Sequence, residues 1–405
     1  MLTRCLALAG CLAAAAVPAA EPAFQKIPVT KEFLSEGADV ADFDHDGKLD
    51  LTAGPYWFSG PDFKVRHEFA PPPAKPYDGE KSYSDYFLAY TYDFNGDGWA
   101  DILVYSWPGK EVAWYENPQN RPGHWLRHVL LAEGDGESPT IGDMNGDGKP
   151  ELLVFSGGQL GFYEIDWKQP GNPAKFWPVT PEDKKKYFRY THGYGYGDIN
   201  GDGRPDILEK DGWWEQPKDY RKDGLWKFHE FAFGPAGTRG GAHMLVYDVN
   251  GDGKKDVITS WNAHGYGLAW YEQVSRDGEI SFTEHMLVNT KPEDNPQGVK
   301  FTQIHALFAA DMNGDGLMDF VTGKRFWAHG PSKDDEPAAP AVLYWFELKR
   351  NGKQAEFIPH LIDDDSGVGT QITARDVNGD GVPDVVSSNK KGVNVFLQNA
   401  AKKAR

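Results

Sequence analysis

Short runs of alternating apolar and polar residues, separated by Gly-rich turns, fill most of this chain, and none keeps the 3.6-residue period of a helix. One set is clear around residues 244–287. Met244–Tyr247, Val257–Thr259, Leu268–Glu272 and Ile280–Leu287 read as four successive strands. The third is aromatic and ends in Glu. Its counterparts are Val112–Glu116, Gly161–Glu164, Gly212–Glu215 and Leu343–Glu347. Four short strands per unit predict one antiparallel sheet per repeat.

Between the first and second strand of each unit the pattern turns polar in a fixed way: Asp-x-(Asn/Asp)-x-Asp-Gly, then a carboxylate three positions after the Gly. The candidate ligands are Asp42, Asp44, Asp46 and Asp50; Asp93, Asn95, Asp97 and Asp101; Asp143, Asn145, Asp147 and Glu151; and Asp198, Asn200, Asp202 and Asp206. The last three copies supply Asp248, Asn250, Asp252 and Asp256; Asp311, Asn313, Asp315 and Asp319; and Asp376, Asn378, Asp380 and Asp384. Oxygen donors at alternate positions of a tight turn suit a hard cation, Ca²⁺ rather than Zn²⁺. An EF-hand would need a bidentate Glu at its twelfth position and flanking helices. Thr259 holds that position in the fifth copy, and a β-rich run follows.

The copies start 51, 50, 55, 50, 63 and 65 residues apart, so one supersecondary module repeats with variable insertions. Such sheets arranged radially make a propeller. The expected fold is therefore all-β: a seven-bladed β-propeller of four-stranded antiparallel blades, with a calcium loop between the first and second strand of each. The seventh unit ends soon after Val393–Leu397. Phe24–Thr30 has the character of the missing strand, so the N-terminus is expected to close the last blade and remove an exposed edge. The chain resembles the FG-GAP/VCBS repeat family of seven-bladed propellers, as in integrin α-subunit heads and bacterial secreted proteins. The resemblance implies the fold and up to seven structural Ca²⁺. It implies no function, because propellers host enzymes, lectins and docking surfaces alike.

Residues 1–20 carry Arg4, an apolar stretch and an Ala-rich end, the form of a secretory signal, and predict a secreted or periplasmic protein. Lipidation at Cys11 is the minor alternative. The propeller is expected over 21–400 and a disordered tail over 401–405. Both cysteines, Cys5 and Cys11, fall in the leader, so the remainder has no disulfide and metal loops would take that role. The formal charge of −18 is largely ligand, because the loop positions hold 22 carboxylates. No basic stripe or amphipathic helix points to nucleic acid or membrane insertion.

A site is expected at the channel mouth opposite the acidic loops, where the first strands begin and the second-to-third connections emerge. His192, His243 and His305 stand there, five or six residues before a loop, with Lys210, His264 and Arg325 on the connections. Such imidazoles could hold a divalent transition metal or move protons. Trp213, Trp214, Tyr266 and Trp327 are candidates for stacking on a sugar, with Tyr194 and Tyr196 beside them. Histidines 67, 128, 229, 285 and 360 recur in the fourth strands and read as structural. Insertions at 71–85, 168–186, 289–298 and 326–340 are expected as rim loops. No serine-hydrolase, zincin or nucleotide motif occurs. The first reading is a module binding a glycan, a small polar ligand or an extracellular protein. The second is a carbohydrate lyase or dehydratase using the histidines, for which the propeller part of aldos-2-ulose dehydratase looks like a fold-level precedent.

Overall fold

A computed structural model describes residues 22–238 and 240–399. The leader-like segment 1–20, with both cysteines, and the tail 401–405 lie outside the described residues. The first strand, β1 (Ala23–Thr30), is followed by a sheet of β2 (Asp39–Ala41), β3 (Asp50–Ala53), β4 (Tyr56–Phe58) and β5 (Arg66–Glu68). Seven strands make the next sheet: β6 (Leu88–Tyr92), β7 (Asp101–Tyr105), β8 (Lys110–Glu116), β9 (Leu126–Gly142), β10 (Glu151–Ser156), β11 (Gln159–Glu164) and β12 (Lys175–Pro178). Four-stranded sheets follow from β13 (Tyr194–Gly197), β14 (Asp206–Glu209), β15 (Gly212–Glu215) and β16 (Lys227–Glu230), and from β17 (Leu245–Tyr247), β18 (Asp256–Ser260), β19 (Leu268–Arg276) and β20 (Glu279–Val288). The last two hold β21 (Leu307–Ala310), β22 (Asp319–Gly323), β23 (Leu343–Asn351) and β24 (Gln354–Asp363), then β25 (Ile372–Arg375), β26 (Asp384–Asn389) and β27 (Gly392–Asn399) with β1 on its outer edge. Among the described residues the one helical element is a 3₁₀ turn at Pro292–Asp294.

Two features differ from expectation. The seven-stranded sheet joins two units, because β9 is the last strand of one and the first of the next: His128 pairs with Trp114, and Ile141 with Leu152. The segment 168–186 is not all loop. Its Phe176 and Trp177 pair with Tyr163 and Phe162, which makes β12 an edge strand. The closing strand is where the alternation placed it, with Ile27 opposite Val395 in antiparallel register.

Neighbouring units meet at or beside their first strands. Asp39 accepts the N–H and hydroxyl of Thr91, Met244 N–H donates to Tyr194 O, and Ser260 Oγ donates to Ile304 O. The seventh unit meets the first in the same manner, with Thr373 Oγ1 donating to Ala38 O at 2.8 Å. Side-chain amides stitch the outer parts: Asn117 reaches Phe43 O, Gln216 Met144 O, Gln273 Ile199 O and Gln398 Met312 O. Residues of β2, β6, β9, β13, β17, β21 and β25 line one cavity of about 430 Å³. Apolar clusters lie between neighbouring sheets, as where Ile258, Leu307, Phe320 and Phe346 pack together.

The fourth-strand histidines are structural, as their recurrence implied. Rings of Trp114, Trp213, Trp270 and Trp345 stack on His128, His229, His285 and His360 at 3.9–4.3 Å. Each of those imidazoles also bonds a third-strand carboxylate, from Glu116, Glu215, Glu272 or Glu347.

Candidate functional site

The acidic loops are built alike. In the second, Asp93 accepts the N–H groups of Gly96, Asp97 and Gly98, and Asn95 accepts that of Asp97. This pulls the oxygens to the inside of the turn. Gly96 and Gly98 have φ of 74° and 90°, a left-handed path that favours glycine. In the first loop Asp42, Asp44 and Asp50 each bring an oxygen within 4.8 Å of the others. The all-oxygen donor set suits Ca²⁺. The ninth residue also does something else. Asp319 is fully buried, and its two oxygens accept the N–H groups of Met312 and Leu348, which clamps the loop to the third strand. Asp50, Asp101, Asp206, Asp256 and Asp384 do the same; Glu151 reaches Met144 N–H and the Asn145 side chain.

At the other end of the first strands three imidazoles converge. His192 precedes β13, His305 precedes β21, and His264 lies between β18 and β19. Their ring nitrogens fall within 4.8 Å of one another, with His192 Nε2 and His264 Nε2 2.8 Å apart. His305 is 1% exposed, and its Nδ1 lies 3.1 Å from Gln303 O. A carbonyl only accepts, so Nδ1 carries the proton. The Nε2 lone pair is then left facing its neighbours, and that buried atom has no partner among the described residues. Burial holds His264 down at about 3, with His192 adding repulsion. Burial, then Arg325, pushes His305 far below the ordinary histidine range. Both are neutral at pH 7, the state that ligates a metal.

Gln303 positions two of the three. Its carbonyl takes His305 Nδ1–H, while its side-chain amide donates to His264 O at 2.8 Å. It adopts φ 63°, a strained value for a non-glycine residue, held by backbone bonds to Gly265 O and from Arg325 N–H. Beside the trio Arg325 is 1% exposed and flanked by Glu36 and Glu137, at 3.1 and 3.0 Å. Burial opposes the Arg325 charge, but these two carboxylates raise its pKa above the usual value. Burial lowers the Lys390 ammonium, which stands over the Tyr83 ring. His329 extends the cluster outward: its ring lies 4.5 Å from that of His264, and its Nδ1 is 3.4 Å from Asp334. Tyr83 stacks on Trp107, which meets the exposed Tyr190, forming an aromatic ledge.

The FG-GAP-like repeat model matches residues 93–154 and 248–322, stretches that each begin at the first Asp of an acidic loop. These two stretches are FG-GAP-like repeats. No curated protein matches it. Solved structures similar to this chain include an Agrocybe aegerita lectin described for recognition of non-reducing terminal N-acetylglucosamine (15% identity, TM-score 0.47, covering 92% of this chain and 96% of the lectin). Another is the V. cholerae biofilm matrix protein Bap1 (11% identity, TM-score 0.45, 92% and 89% covered). A third is a Bacillus licheniformis rhamnogalacturonan lyase (13% identity, TM-score 0.42, 92% and 75% covered).

The structure gathers His192, His264, His305 and Arg325 but leaves His243 and Lys210 aside. His243 Nε2 donates across the channel to Pro139 O at 3.2 Å, and Lys210 turns to Asp211 at 2.6 Å. The stacking candidates are also corrected. Trp213 is buried against His229, Trp214 and Tyr194 sit in the core, Tyr196 packs against that core, and Trp327 donates to Pro337 O. Tyr266 lies under Lys300. Glu36, Glu137 and Gln303 were not among the expected site residues, whereas His329 lies on the connection 324–329 expected at this mouth. A signal for the first two existed: the residue six places before each acidic loop is Glu36, Phe87, Glu137, His192, Ala242, His305 and Thr370 in turn. Among the described residues no helix is long and apolar enough to cross a membrane.

Proposed function

We propose that this is a secreted, seven-bladed propeller, with Ca²⁺ in its acidic loops and a divalent transition metal held by His192, His264 and His305 at the opposite mouth, where a carbohydrate binds. The observation that carries the reading is the trio of converging imidazoles, with His264 and His305 held neutral and the His305 tautomer set by Gln303. The seven-part ring is supported by the shared lining of the central cavity and by the contact between last and first units. Secretion is supported by the pattern of residues 1–20. A sugar suits the mouth because an aromatic ledge adjoins buried donors and acceptors.

A second reading, lyase or dehydratase action, is favoured by His329 and Asp334. A bound metal would polarise a sugar carbonyl. His329, with Asp334 beside it, would take the proton from the carbon next to that carbonyl. Arg325 would balance the charge gathered on the carbonyl oxygen, and His329 would return its proton to the hydroxyl lost from the next carbon, so that one water leaves for each C=C bond formed.

Elemental analysis of the purified chain tests the metal reading. Calcium near seven equivalents with one zinc, manganese or iron is expected, and His305→Ala combined with His264→Ala should remove only the latter. Calcium alone in the unaltered chain would overturn the mouth metal. Eliminase activity on keto-sugars, lost in His329→Gln with metal content unchanged, would support the second reading.

A further inference from the structure

Arg325 and Glu36 form a fork that is only half closed. A guanidinium meeting a carboxylate side-on makes two parallel bonds. Here Nε donates to Glu36 Oε2 at 3.1 Å, and Nη1 is taken by Glu137 Oε2 at 3.0 Å. The second leg of the Glu36 pair is not made. Arg325 Nη2 and Glu36 Oε1 are both buried, and neither has a hydrogen-bond partner among the described residues. Lys390 does not close the gap, because its Nζ stays 4.0 Å from Oε1 and is drawn over the Tyr83 ring.

The chemistry of the gap selects its occupant. A carboxylate could accept from Nη2 but would press its own charge against Oε1. An ammonium has the reverse conflict. A hydroxyl accepts from Nη2 and donates to Oε1 at once. The side chains around the gap are balanced, since Arg325 and Lys390 are matched by Glu36 and Glu137. A carboxylate at the gap would face Oε1 with no surplus of side-chain positive charge, the charge of a mouth metal lying at the imidazoles instead. We infer that the open leg between Glu36 and Arg325 is a hydroxyl subsite, and that the ligand of this mouth is an uncharged sugar rather than a uronate. The inference rests on the carbohydrate reading above and narrows it to one class.

Titration calorimetry of the full chain, with its calcium and mouth metal bound, tests this against glucose, galactose, mannose and xylose, and against glucuronate and galacturonate. At least one neutral sugar should bind tenfold or more tightly than either uronate. Among deoxy analogues of that sugar, removal of one hydroxyl should weaken binding at least tenfold, because it leaves Nη2 and Oε1 unpaired. In Glu36→Gln, with metal content and melting temperature checked, that same deletion should cost much less, as coupled partners require. A uronate that binds more tightly, or a flat deoxy series, overturns the inference while leaving carbohydrate binding intact. If none of the sugars binds, the carbohydrate reading fails and the subsite fails with it.

Discussion

One residue of register separates a histidine in the cluster from a histidine in the channel wall. His192 and His305 stand six places before their acidic loops and His243 five, and along a strand neighbouring side chains leave on opposite sides. His243 is thereby sent across the channel to Pro139. Burial lowers it to about 4, against an ordinary value near 6.5. Below pH 6.5 the unfolded chain takes up a proton that the folded imidazole refuses. Its contribution to stability is thus full above pH 6.5 and is lost as pH falls towards 4. Between pH 7 and pH 5 this one group should cost about 2 kcal/mol. Urea unfolding at both pH values should show a smaller loss in His243→Gln, whose amide can still donate to Pro139 O. Equal losses in the two proteins would mean that His243 does not carry this pH dependence.

The acidic loop does two jobs at the scale of an element, and its residues divide them. Asp315 is exposed, and its Oδ1 accepts Leu317 N–H, a bond that Asn can replace. Asp319 is buried and receives two backbone N–H groups, one on each oxygen. Asn there would turn an NH₂ towards one of those donors. In EDTA, Asp319→Asn should lower stability by about 1–3 kcal/mol, the cost of an unpaired buried group. Asp315→Asn should stay within about 0.5 kcal/mol. On adding calcium, Asp315→Asn should gain less than the unaltered chain, as read by denaturant midpoints. A neutral Asp319→Asn in EDTA would remove the clamp. The loops also explain what could be read from the sequence. Their fixed spacing sets strand order and the two ends of each first strand, so the placing of His192, His264, His305 and Arg325 followed. Glu36 and Glu137 stayed hidden because a lone Glu carries no site signal by residue type, and only the shared position six places before an acidic loop marks them. Glu137 lies within β9, where Gly134-Asp-Gly136 looks like a turn yet the strand runs on through it, with Gly134 paired to Lys110 and Asp135 to Phe155. Trp213 resembled a ligand platform because the sequence does not show that His229 would cover it.

At the scale of the whole molecule the decisive pairing is between the two ends of the described chain. β1 runs beside β27 from Ala23–Asn399 to Thr30–Val393, and Lys26 adds an ion pair to Asp363 of the preceding unit. Without β1, the row of N–H and C=O groups on β27 would be open, flanked by Val393, Val395 and Leu397. An open, apolar edge recruits other chains. Deleting residues 22–30 should therefore lower the melting temperature and produce concentration-dependent association on size-exclusion chromatography. A synthetic peptide of residues 22–31, added in excess, should fill the same edge and restore a monodisperse species by mass action. Replacing Ile27 with Lys in that peptide should weaken the rescue, because Ile27 packs on the core that Val393 and Val395 share with Leu51. A truncated chain that stayed monodisperse and equally stable would show that the last sheet closes without β1. Mouth residues Glu36 and Lys390 come from the first and seventh units. Loss of the closing strand should consequently also loosen the contact of Lys390 with Glu36, the partner of Arg325, and the peptide should restore sugar affinity together with monodispersity.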